Sequence, residues 1–128
     1  MRLEIEVAAQ GDVRVLRCRG RIIYGPEADA LRERVNAALQ ETPRLVFHLA
    51  GARDMDSGGI GRVVGMVVSA RRAGGDIKFC CLSPKVQHVL QITGLLRVFE
   101  VFATEEEAVR SFAGGGQAPP SLAPAPGC

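Results

Sequence analysis

Residues 54–61, Asp-Met-Asp-Ser-Gly-Gly-Ile-Gly, bring together the side chains of this sequence that could do chemistry. An apolar run precedes them and an apolar stripe at helical spacing follows, which predicts a loop that opens directly into a helix. Ser57 would then lie at or beside a helix N-terminus, where free amides suit an anion such as a phosphoryl group. The alternative is that Asp56 or Ser57 simply caps the helix.

A hydrolase would need His48, Ser57 and an aspartate to form a catalytic triad. The nucleophile-elbow pattern Gly-x-Ser-x-Gly fails, because Met55 stands where the first glycine belongs. The glycines at 58, 59 and 61 are not followed by the Gly-Lys-Ser/Thr of a phosphate-binding loop. The chain is therefore predicted not to be an enzyme and to use no cofactor.

The cysteine pattern predicts neither a disulfide framework nor a metal site. The chain has 4 cysteines and 2 histidines, without a Cys-x-x-Cys pair and with the histidines far apart. Cys80 and Cys81 are adjacent in a predicted strand, so their side chains are expected on opposite faces. Such cysteine usage is typical of a reducing compartment.

Composition points to one small globular domain without a nucleic-acid or membrane partner. The chain has 128 residues, 16 basic and 14 acidic side chains, 5 Phe, 1 Tyr and no Trp. This charge balance and the few aromatics do not suit nucleic-acid binding. The longest apolar stretch, residues 63–68, contains Gly65 and is too short to span a membrane, and no signal peptide opens the chain. We expect a cytoplasmic protein.

Hydrophobic periodicity and turn residues predict a single α/β domain in residues 1–113, with a mixed sheet of four or five strands and four helices. The predicted order is β-β-α-β-α-β-α-β-α. The strands are expected at residues 3–7, 13–19 (ended by Gly20), 45–49, 77–82 and 98–102, with a loop at residues 50–59. The helices are expected to start at Pro26, near Ile60, at Ser83-Pro84 with a capping hydroxyl, and at the capping box of Thr104 and Glu107. Residues 114–128, rich in Gly, Pro and Ala, are predicted to be a flexible tail.

Three patches of the sequence resemble the sulfate transporter and anti-sigma factor antagonist (STAS) domain, in its stand-alone bacterial form. Residues 55–61 resemble the Asp-Ser-Ser/Thr-Gly-Leu-Gly loop of that family. Residues 73–86 resemble its Gly-Gly, strand and Ser-Pro helix opening, and residues 93–108 its closing Thr-Gly-Leu, strand and acidic helix. The resemblance covers roughly residues 3–112 and implies a protein-binding module.

The resemblance implies a function for the loop serine. In that family the serine after the loop aspartate is phosphorylated by a partner that is both a serine kinase and an anti-sigma factor, and this position matches Ser57. The unphosphorylated domain binds the anti-sigma factor and frees the sigma factor, so the chain would regulate transcription. The sequence departs from the family pattern at Ile23 and His48, where acidic or amide residues are usual and which we expect near Ser57, and at Gly58, which replaces a second hydroxyl residue.

The partner surface is predicted to combine the loop with the outer side of the second helix. Its residues are Asp56, Ser57, Gly58, Gly59, Arg62 and Met66, with Ser69 farther along the same side. Met66 is expected to be exposed as an adaptable contact, unless it fills a gap against the neighbouring helix. The chain is expected to be a monomer or weak dimer. The alternative function is a STAS adaptor, not phosphorylated, in a lipid-transport complex or signalling scaffold.

Overall fold

A five-stranded sheet forms the centre of the computed structural model, which describes residues 3–113. The strands lie side by side in chain order. The first two strands form an antiparallel hairpin, and each later strand runs parallel to the one before it. Their bounds are β1 Glu4–Gln10, β2 Val13–Ile22, β3 Arg44–Met55, β4 Asp76–Cys80 and β5 Val101–Phe102. The predicted class and element order are confirmed, whereas the predicted tail lies outside the described residues.

Four helices cover the sheet unequally. They are α1 Pro26–Leu39, α2 Ser57–Arg72, α3 Pro84–Ile92 and α4 Glu105–Ala113, and a short 3-10 turn, Leu95–Arg97, follows α3. The first three helices bury their apolar stripes on one face of the sheet, in a core that includes Leu31, Val67 and Leu90. Helix α4 packs alone on the other face, where Ala108 meets Val15 and Val46 in a second, smaller core.

Local capping signals mark the starts of two helices as predicted. Ser83 accepts a hydrogen bond from the Val86 N–H at 3.3 Å. Thr104 and Glu107 satisfy each other's backbone N–H at 3.3 and 3.1 Å, which is the reciprocal arrangement of a capping box. These contacts fix where α3 and α4 begin, because they supply acceptors to amides that the helix leaves unpaired.

The strands differ from the predicted ones around the middle of the chain. Strand β2 does not end at Gly20 but passes through it, with a φ of 123° at that glycine, and continues to Ile22. Strand β3 runs on to Met55 through residues expected to form a loop. The cause is parallel pairing with β2, which persists across two register shifts. Bulges of this kind let a stretch that contains glycine and charged residues stay paired in the sheet although its composition disfavours a strand.

Polar contacts hold helix α4 at both ends. At its start, Glu105 accepts two hydrogen bonds from Arg17 of β2, at 2.9 and 2.8 Å. At its end, Lys78 of β4 is buried and donates to the Ser111 hydroxyl at 2.8 Å. The Lys78 ammonium also lies 4.3 Å from the centre of the Phe112 ring, a cation–π contact. Charged groups as well as apolar area therefore attach this helix to the sheet.

Candidate functional site

The N-terminus of α2 is capped by Asp56 and not by Ser57. Asp56 has extended backbone angles, and its Oδ1 accepts the Gly59 N–H at 2.7 Å. Ser57 is the first residue of the helix and is exposed. Within residues 3–113 its hydroxyl makes no hydrogen bond, so the group that the sequence singled out is available to react. The structure resolves the capping alternative in favour of Asp56.

Asp56 also joins the two loops that meet at this end of the sheet. The Tyr24 N–H donates to Asp56 Oδ1 and Oδ2, at 3.0 and 3.3 Å. One carboxylate thus holds the β2–α1 connection and the start of α2 in a fixed relation. A charged acceptor makes such hydrogen bonds stronger than neutral ones, so the backbone around Ser57 is well defined.

The two glycines after Ser57 are required by close packing. A Cβ at Gly59 would collide with the backbone carbonyl of Ile22. A Cβ at Gly58 would collide with the side chain of Tyr24, whose Cδ1 would lie only 2.9 Å away. A hydroxyl residue at position 58, as in the family pattern, would therefore collide with Tyr24 as it is placed here.

The outer side of α2 presents Arg62 but not Met66. Arg62 Nη2 lies 3.4 Å from Asp29 Oδ1 of α1, and its guanidinium carbon is 5.7 Å from the centre of the Tyr24 ring. Met66 is only 3% exposed, so of its two alternatives the structure favours gap-filling over exposed contact. The reason is that α2 packs against α1 as well as the sheet, and Met66 fills the gap between the helices.

Of Ile23 and His48, the two departures from the family pattern that were expected near Ser57, only Ile23 lies there. Ile23 directly precedes Tyr24, which Asp56 holds. His48 pairs with Arg17, and Met55 pairs with Ile22. Arg17 and Ile22 are five positions apart in β2, which corresponds to about 16 Å of extended strand. The expectation that His48 lies near Ser57 is therefore wrong. A catalytic triad that includes both residues is excluded.

His48 instead belongs to a cluster on the α4 face of the sheet. Its ring nitrogen and the sulfurs of Cys80 and Cys81 all lie within 4.8 Å of one another. The expectation that the two cysteines face opposite ways is wrong, because Cys81 has a φ of 57° and turns back into the core that holds Cys80. Nothing in the sequence signalled this turn, because it requires a left-handed backbone conformation at Cys81, which cysteine rarely adopts.

Electrostatics in this cluster keep the Cys80 sulfur protonated. Burial, and then the negative charge of Glu105, raise the pKa of the Cys80 thiol to about 12. Metals bind the thiolate, so this environment works against ligation by Cys80. Nearby, the hydrogen bonds from Arg17 hold the pKa of Glu105 below its ordinary value.

Known proteins share this fold. The STAS domain family matches residues 4–108. An anti-sigma F factor antagonist from Paenibacillus polymyxa is 26% identical over 111 residues, which are 85% of this chain and 94% of that protein. The chain belongs to the STAS domain family.

Solved structures of similar proteins agree with the architecture. An anti-sigma-factor antagonist (STAS) domain protein from Planctomyces limnophilus superposes with a TM-score of 0.73 at 25% identity, over 86% of this chain and 98% of that one. The phosphorylated form of the Bacillus cell fate determinant SpoIIAA gives 0.66 at 22% identity, over 85% and 99%. Within the described residues, every helix is too short or too polar to cross a membrane.

Proposed function

We propose that this chain is an anti-sigma factor antagonist that binds an anti-sigma factor that is also a serine kinase. The binding surface, here called the Ser57 surface, comprises residues 56–59 and Arg62. Phosphorylation of Ser57 by that partner ends the binding, so the chain regulates transcription by a reversible association and is not itself an enzyme. The observation that carries the proposal is the exposed Ser57 hydroxyl at the first position of α2, which makes no hydrogen bond to any described residue because Asp56 caps the helix.

The geometry around Ser57 suits a reversible phosphoryl group. The first turn of α2 provides a positive dipole end and backbone amides, which stabilise added negative charge in the free protein. The same group adds about −1.5 to −2 charge at a surface that a bound partner would cover. Placing it in a close-packed interface costs about 2–5 kcal/mol, or roughly 30- to 5,000-fold in affinity.

The relatives support the proposal in two ways. A curated relative with nearly full mutual coverage is named an anti-sigma F factor antagonist. SpoIIAA, which shares the fold, has been solved in a phosphorylated form. The matched loop in this chain retains the aspartate and the serine that follows it, Asp56 and Ser57.

The test is to incubate the purified chain with ATP, magnesium and each ATPase-type anti-sigma factor of its source organism, followed by intact mass and binding measurements. We expect one phosphoryl group on the wild-type chain and none on Ser57→Ala, which should bind constitutively. Ser57→Asp should bind more weakly than wild type, though less weakly than the phosphorylated chain, since it adds one charge. Equal affinity of wild type and Ser57→Asp would refute the switch.

A second candidate function, an adaptor in a larger assembly that is never phosphorylated, is favoured by Ile23. This residue places an apolar side chain beside the Ser57 loop where an acidic one is usual in the family. Binding without phosphate transfer in the same experiment would support the adaptor. Ile23→Asp would then be expected to restore phosphate acceptance, and His48→Asp should have no such effect because His48 is remote from the loop.

A further inference from the structure

Tyr24 is the most unusual exposed residue beside the Ser57 loop. It is the single tyrosine of the chain and is 66% exposed. Among the large apolar residues that are exposed within residues 3–113, it is the only aromatic one. Its position is nevertheless fixed, because its N–H is held by Asp56 and the carbonyl of the preceding residue accepts the Ala28 N–H at 3.2 Å.

The Tyr24 ring is supported from two sides. Its Cβ, Cγ and Cδ1 lie against Gly58, which has no side chain to push it away. The Arg62 guanidinium lies 5.7 Å from the ring centre, within the range of a cation–π contact. An exposed aromatic ring that is already held in place loses little conformational freedom when a partner covers it, and so binds efficiently.

Two basic side chains near Tyr24, Arg62 and Arg32, can pair with carboxylates of a partner. A groove between α1 and α2 continues from Arg62 past Gly61 and Gly65, and Arg32 lines its other wall. A Cβ at either glycine would meet nothing within 4 Å, so the groove is open there. Arg62 is paired with Asp29 only at 3.4 Å in a solvent-exposed setting, a contact that is easily exchanged for another carboxylate.

We propose that Tyr24 determines the specificity of the Ser57 surface by inserting into an apolar hollow of the partner, while Arg62 pairs with a carboxylate at the rim of that hollow. Tyrosine and arginine side chains that are buried together on association carry much of the affinity of many interfaces. This inference rests on the proposed function, since it needs the partner to dock on the Ser57 loop.

The test uses the anti-sigma factor kinase that binds the wild-type chain, with Tyr24→Ala, Tyr24→Phe and Arg62→Ala. Tyr24→Ala should weaken binding at least about tenfold, whereas Tyr24→Phe, which keeps the ring, should stay within about twofold of wild type. In phosphorylation kinetics Tyr24→Ala should raise KM and leave kcat nearly unchanged, because the ring does not contact the reacting hydroxyl. Arg62→Ala should weaken binding less than Tyr24→Ala and should reduce its salt dependence.

Ile92→Ala is the matched control, since Ile92 is 68% exposed on α3 and lies outside this surface. It should bind like wild type, and circular dichroism should show all variants folded. If wild type binds and Tyr24→Ala binds equally well, the specificity proposal is wrong while the proposed function stands. If no anti-sigma factor binds the wild-type chain, the proposed function fails and this inference with it.

Discussion

Replacing Asp56 with alanine separates the capping role of this residue from the role proposed for Ser57. The substitution removes the acceptor of the Gly59 N–H and both contacts to the Tyr24 N–H. Loss of an N-cap costs about 1 kcal/mol. The Tyr24 contact is exposed and water can replace it, so it adds about 0.5 kcal/mol. We therefore expect Asp56→Ala to lower the free energy of unfolding by about 1.5 kcal/mol and the Tm by about 6 °C.

Two neighbouring variants make the comparison specific. Asp56→Asn keeps an oxygen acceptor that is equally good at the cap, so its stability should stay within about 0.5 kcal/mol of wild type. Ser57→Ala removes a hydroxyl that makes no hydrogen bond within the described residues, so it should also stay within about 0.5 kcal/mol. Urea unfolding followed by circular dichroism measures all three. A stable Asp56→Ala together with a destabilised Ser57→Ala would refute the assignment of the cap.

Three further predictions concern packing and charge. Gly59→Ala should destabilise the fold by more than about 2 kcal/mol, because its Cβ would meet the backbone of β2. Gly61→Ala has open space around its Cβ and should stabilise α2 by about 0.5–1 kcal/mol. Thermal unfolding measures both changes. Met66→Asp should abolish cooperative unfolding, since it buries an unpaired charge; a folded Met66→Asp that merely fails to bind a partner would contradict the packing described. Glu105→Gln should cost about 1 kcal/mol at pH 7, after allowance for solvent screening of Arg17. Because the Glu105 pKa is lowered in the folded state, that difference should be complete above pH 4.5 and vanish as pH falls through the lowered pKa, as urea titrations at several pH values would show.

The sequence predicted the elements whose signals are local. Apolar periodicity located the helices, and the side chains of Ser83 and Thr104 marked helix starts because a cap needs only its next three residues. Strand extent was less predictable. Residues 50–55 contain a glycine and two charged side chains. They form a strand because β2, more than thirty residues away along the chain, lies beside them.

The candidate site was predicted in part for the same reason. Ser57 and Asp56 follow each other in the chain, so their placement at a helix start could be inferred from the pattern. Tyr24 was missed, because it reaches the loop only through the parallel pairing that brings the ends of β2 and β3 together. The two alternatives for Met66 could not be decided from the sequence, because α2 also packs against α1, and the valine stripe indicates only the side that faces the sheet. His48 was misplaced because the length of β3 was underestimated.

The attachment of α4 by charged contacts has a consequence for local opening of the domain. Three helices share the large core, but α4 lies alone on the smaller one and depends on Arg17 at its start and Lys78 at its end. A segment held by few apolar contacts can open without unfolding the remainder. Its amides should therefore exchange with solvent deuterium sooner than those of α1 to α3, and sooner again in high salt. Each opening of α4 would expose the face of the sheet that carries Cys80, a buried cysteine that is otherwise unreactive. The rate at which a thiol-reactive probe modifies Cys80 would therefore report the opening of α4.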